Sequence, residues 1–126
     1  MFKPIVLIGV GGAIGSILRY LITESVESRF VPSPFPYGTL VVNVAGCFAI
    51  GLIDALSDRF NIAPEWRAFL ATGICGGFTT FSSFSYQGIT LIRDGHSIEF
   101  LVYMFGSLFL GLLAAVIPVI AIQELT

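Results

Sequence analysis

Charge is scarce in this sequence. Only 11% of its 126 residues are Asp, Glu, Lys or Arg, against about 25% in an ordinary soluble domain. Such a chain cannot cover a globule with polar side chains: 56% of it is hydrophobic and the mean hydropathy is +0.93. A basic excess is missing too. The net charge is -2, which argues against a nucleic-acid partner, since that needs a cationic face. Histidine occurs once, as His96 in a charged loop. The two cysteines, Cys47 and Cys75, sit in apolar runs without C-x-x-C spacing, so neither a disulfide framework nor a zinc site is expected. No nucleophile–base pair is visible, and an enzyme is not expected.

The charges that exist are segregated. Lys3, Arg19, Glu24, Glu27 and Arg29, then Asp54, Asp58, Arg59, Glu65 and Arg67, then Arg93, Asp94 and Glu99, then Glu124 stand between long apolar runs. Four runs can be drawn, at about residues 4–23, 38–56, 68–92 and 98–122. Each is near or above the ~20 residues that carry a helix across ~30 Å of hydrocarbon. Pro32, Pro34 and Pro36 punctuate the first connection, Asn61 and Pro64 the second, Asp94 and Gly95 the third. The expected fold is an all-α integral membrane protein, one four-helix transmembrane domain over residues 1–126, multi-pass and in contact with membrane lipid. Lys3 and the run after it look like the start of a leader. No small-x-small cleavage pattern follows, so a cleaved signal is not expected.

No Asp, Glu, Lys or His lies in the middle of a run. Proton-coupled transporters usually need such a group as a relay, so active exchange has little to drive it. Orientation signals are equally thin. With four spans, Lys3, Arg59 and Arg67 share one side; Arg19, Arg29 and Arg93 share the other. Lys/Arg asymmetry in short loops sets orientation. Here three face three: either another feature fixes one topology, or the chain inserts both ways and opposed copies pair.

Small residues recur four apart, as Gly11/Gly15, Gly12/Ser16, Gly73/Gly77, Ser107/Gly111 and Gly111/Ala115. Such faces let helix backbones approach closely, within one chain or between chains. "GVGGAIG" (residues 9–15) mimics a phosphate-binding glycine loop, but Ile14 stands where the third glycine belongs, and no strand–helix alternation surrounds it.

The polar residues inside the runs are neutral. Thr39 and Asn43 share a helix face, with Cys47 a turn beyond. An asparagine in hydrocarbon needs a partner, either another helix or something in a pore. Residues 68–92 hold no charge, yet "GGFTTFSSFS" (residues 76–85) packs five hydroxyls and three phenylalanines into ten positions. Thr79, Ser83, Gln87 and Thr90 follow helical spacing, with Tyr86 alongside and Phe81, Phe84 and Gly88 on a neighbouring stripe. Gly73, Gly76 and Gly77 precede them; glycine clusters with threonine are where a membrane helix can break. In the fourth run Tyr103 and Ser107 are one turn apart. Hydroxyls and amides donate hydrogen bonds without charge, and a phenyl ring has a positive edge. That set suits a desolvated anion that must bind and also leave.

Three stretches carry a family resemblance. "GGAIGSILRY" (11–20), "GTLVVNVAGCFAIG" (38–51) and "GICGGFTTFSSFS" (73–85) closely resemble the motifs of the Fluc (CrcB-type) fluoride channels, in order and on spans of the right length. The resemblance implies a passive fluoride-selective channel in the cell (inner) membrane, built as an antiparallel dual-topology homodimer with two pores. It implies that the third helix breaks near mid-membrane, at residues 76–79. Asn43 would be the pore asparagine, and Phe81 and Phe84 the pore phenylalanines. Ser82 and Ser83 lie in the same motif, Thr39 shares the asparagine face, and Tyr103 and Ser107 match the fourth-span polar track. Arg19 would be the vestibule arginine. Backbone carbonyls of Gly76 and Thr79 from both chains would hold a structural Na⁺ at the dimer centre. The chain departs from the pattern at Ser83, usually Thr, at Gln87, commonly Glu, and at Gly111, where the polar track lacks a hydroxyl. The alternative class is a small four-span multidrug exporter of dual topology, which needs an acidic residue in its first span; residues 4–23 have none.

Overall fold

The computed structural model describes residues 2–125, and all its regular elements are helical. Helix α1 is Phe2–Arg29, α2 is Tyr37–Phe60 and α6 is Ser97–Glu124. These three are long and apolar enough to cross a membrane. At 28, 24 and 28 residues and about 1.5 Å per residue, each outruns the hydrocarbon and carries its end charges past it. The third span is built of pieces: α3, Pro64–Arg67; a π-helical segment, Ala68–Cys75; α4, Gly76–Phe78; and, after a break, α5, Phe81–Arg93. None of the pieces alone could span. The π turn was not foreseen from spacing, because its cause is packing against α1 rather than any local residue pattern.

Local chemistry explains the ends. Asn61 stops α2 in the left-handed conformation (φ 52°, ψ 50°), and its amide donates to Ser57 O. Pro64 opens α3 at a position where its missing N–H costs nothing. Glu27 of α1 accepts from the Gly38 amide at 3.1 Å, placing a carboxylate at the N-terminus of α2, where the helix dipole favours it. At the opposite end Arg67 pairs with Asp54 and, at 3.3 Å, with Asp58, while Lys3 meets Glu65 at 3.3 Å. The start of α1, the end of α2 and α3 therefore lie at one end of the bundle. The order is up, down, up, down.

The small-residue stripes are used inside the chain. A Cβ on Gly15 would collide with the Ile74 carbonyl, and one on Gly11 would lie 2.7 Å from Phe69 O. Gly73 and Gly77 close on Gly11 and Gly12 from the other side. This seam fastens α1 to the first half of the broken span. A second seam joins α2 to α6, which run in the same direction: Gly51 touches the Ala115 carbonyl, and Cys47 lies against Gly111. Outward faces are apolar. Ile5, Val10, Ile17 and Leu21 on α1, and Val102, Phe105, Phe109 and Val116 on α6, are exposed. A continuous apolar girdle of this kind exceeds what a water-soluble monomer shows. The chain is a multi-pass membrane protein.

Candidate functional site

The break falls at Thr79 and Thr80, both extended (φ -86°, ψ 156° and φ -152°, ψ 123°). Interrupting a helix in hydrocarbon frees backbone groups that water cannot satisfy, and an unmet buried donor costs about 1–3 kcal/mol. The chain supplies partners. Asn43 Oδ1 accepts from the Thr80 amide at 3.0 Å, and Asn43 Nδ2 donates to Thr80 O at 3.2 Å. Thr80 then caps α5: its Oγ1 accepts from the Ser83 amide at 3.1 Å and lies 3.2 Å from Ser82 Oγ. Thr79 turns back, its amide and its hydroxyl both donating to Cys75 O at 2.9 Å. Arg19 Nε donates to Gly77 O at 3.1 Å from α1.

These bonds redirect donors from a continuous helix. The Thr80 amide would otherwise serve Gly76 O, and the Ser83 amide would serve Thr79 O. Asn43 and the Thr80 hydroxyl take them instead. The carbonyls of Gly76 and Thr79 thereby lose their helical donors, and both residues line a cavity. Carbonyl oxygens of this kind are ligands for a hard cation.

Two cavities flank the break. The larger, about 630 Å³, is lined by Asn43, Cys47, Gly76, Thr79, Phe81 and Phe84, with Met104 and Ser107 from α6. No charged side chain reaches it. The smaller, about 240 Å³, takes Ser16, Arg19 and Thr23 from α1, Thr39 from α2, and Ser83 and Gln87 from α5. Arg19 is its sole charge. Thr80 lines both.

The geometry re-sorts the residues that spacing had grouped. Thr79 does not share a face with Ser83 and Gln87, because the chain is extended between them; it faces the larger cavity and they face the smaller. Thr39 and Asn43 part in the same way, and Thr39 is buried. Phe81 and Phe84 stay together, ring centroids 5.7 Å apart at 45°. Phe84 packs on Tyr103 at 5.1 Å. Phe81 is 80% exposed, so one chain gives it no pocket. Tyr103 is fully buried, and neither its hydroxyl nor that of Ser107 has a partner among the described residues. Tyr103 and Ser82 line neither cavity. Cys47 and Cys75 are free thiols in the wall of the larger one. Thr80 had not been singled out. Its signal was present, since a threonine before an amphipathic stretch is a strong N-cap.

A neutral amide, hydroxyls and phenyl rings around a broken helix, with one arginine to the side, define a multi-pass membrane protein with an uncharged polar interior. Comparison with known proteins narrows this. The family described as CrcB-like protein, Camphor Resistance (CrcB), matches residues 6–119. The chain belongs to that family. It is 45% identical over 114 residues to a Bacteroides fragilis protein named fluoride-specific ion channel FluC, covering 89% of this chain and 90% of that one. A protein of the same name from Flavobacterium psychrophilum is 43% identical over 124 residues, 98% of this chain and 99% of its own. Another from Aquifex aeolicus is 46% identical over 106 residues, 83% and 85% of the two chains.

Proposed function

We propose that this protein is a passive fluoride-selective ion channel that lets cytoplasmic fluoride leave down its electrochemical gradient. The observation that carries the reading is the larger cavity: it offers Asn43, the Ser107 hydroxyl and the rings of Phe81 and Phe84, and no charge. A dehydrated anion needs donors that replace water, and weak ones release it again. Arg19 in the smaller cavity attracts anions without standing in the larger one. The family membership and the names of the relatives support fluoride as the ion.

The working unit in this reading is an antiparallel homodimer with two pores. The exposure of Phe81 supports it, because a second chain would give that ring its surroundings. So does the even split of cationic residues between the two sides. Gly76 and Thr79 fit a Na⁺ by the chemistry of their freed carbonyls, and a second copy would complete the oxygen set. The ion would supply fixed positive charge where the two broken helices meet. The exporter alternative gains nothing: the acids of α1 are Glu24 and Glu27, near its end, and Glu27 is bonded to the Gly38 amide.

Liposomes carrying the purified protein, loaded with potassium fluoride or potassium chloride and opened with valinomycin, test the reading with ion-selective electrodes. Rapid fluoride efflux without chloride efflux is the expected result. Folded, dimeric protein that releases no fluoride would overturn it.

A further inference from the structure

Thr80 is the one residue common to the two cavities. Its backbone is fixed on both sides by the Asn43 amide, at 3.0 and 3.2 Å. Around this pair α2 divides: Thr39 and Val42 line the smaller cavity, and Asn43, Gly46 and Cys47 line the larger. α5 divides too, with Ser83 and Gln87 on one side and Phe81 and Phe84 on the other. The Asn43–Thr80 pair therefore stands between the space that holds the cation and the space that holds the rings.

We infer that Thr80 is a specificity-determining residue, the partition an anion must pass between the Arg19 cavity and the Phe81–Phe84 cavity. This rests on the channel reading. Two features of Thr80 suit the role. Its Oγ1 accepts from the Ser83 amide, so its own proton is left for an acceptor, and Ser82 Oγ at 3.2 Å is the one at hand. A small anion can take the place of that serine oxygen. The clamp by Asn43 also holds the partition in place, so the side chain sets the width of the passage. A small anion slips by while accepting the hydroxyl proton; a wider one is blocked by a wall that two hydrogen bonds keep from yielding.

Three variants in the liposome assay test it. Thr80→Gly removes the side chain from both cavities while leaving a residue that helix starts tolerate well. It is expected to release chloride, which the wild type holds back. Thr80→Val keeps the volume but loses the hydroxyl; fluoride efflux should fall about tenfold, the worth of roughly one hydrogen bond, with chloride still retained. Thr80→Ser keeps the donor and should stay within about threefold of wild type for fluoride, also without chloride release. A merely structural threonine would slow fluoride without admitting chloride in the glycine variant. That result, in protein eluting as the wild type does, sinks the inference. So does a valine variant that conducts like wild type, and this second measurement decides if the glycine variant does not fold. Should wild-type protein itself release no fluoride, the channel reading fails first and takes the partition with it.

Discussion

The two faces of the broken span are built on opposite plans. Toward α1, the first half of the span meets glycine: Gly11, Gly12 and Gly15 let backbone lie on backbone with no room for a methyl group. Toward α2 and α6, the same span meets cavities, an asparagine bonded to the backbone and hydroxyls without partners. The first face is closed and apolar; the second is open and polar. A helix broken in a membrane needs both. The tight seam anchors residues 68–78, so that the break can present Thr79, Thr80 and Phe81 in a fixed arrangement.

The largest effect that separates the faces is expected on the closed one. Gly15→Val drives side-chain atoms into the Ile74 carbonyl and the Phe78 amide, and backbone cannot swing aside. Monodisperse protein should be lost from size-exclusion profiles in detergent, because overpacking costs about 1–3 kcal/mol or more where neighbours cannot move. On the open face the effects should fall on conduction. Asn43→Ala strands the Thr80 amide, a deficit of about 1–3 kcal/mol. Fluoride efflux should drop about ten- to a hundredfold while the elution profile holds. If the profile collapses as well, Asn43 belongs with the closed face and the contrast fails. Phe81→Ala should leave the folding of one chain untouched, since the ring is 80% exposed, and still cut fluoride efflux about tenfold or more. A Phe81 variant conducting like wild type would remove that ring from the path. The smallest effect is expected at the second seam. A Cβ at position 111 would sit 3.3 Å from Cys47 Sγ, so Gly111→Ser should lower thermal stability modestly, by about 1 kcal/mol, and Cys47→Ala should relieve it. No relief in the double variant would mean that the thiol is not what confines that position.

Much of this was legible in the sequence. The spans follow from the apolar runs, and the glycine–threonine cluster at 73–79 marks where the third one breaks. The stripe of hydroxyls was misleading, because helical spacing was carried across Thr79 and Thr80. The group that ends the helix there is Asn43, 37 residues away. A hydrogen bond at that separation leaves no trace in local periodicity. Small-residue pairs show close approach but not the partner, so Gly11 and Gly15 could not be assigned to the third span until the helices were placed. Thr80 was missed for a related reason: in an unbroken helix it is one more hydroxyl, and only the break makes it a cap and a shared wall.

The π-helical winding of Ala68–Cys75 has a consequence for how this chain could tolerate length changes. A π turn holds one residue more than an α turn, so the segment is in effect an absorbed insertion. Removing a residue from 68–75 would let the helix relax to ordinary α winding without loss of its backbone bonds. Everything downstream would then turn by about 100°, the angle of one α-helical step, and Thr80 would no longer face Asn43. The backbone would accept the shortened chain; the passage would not.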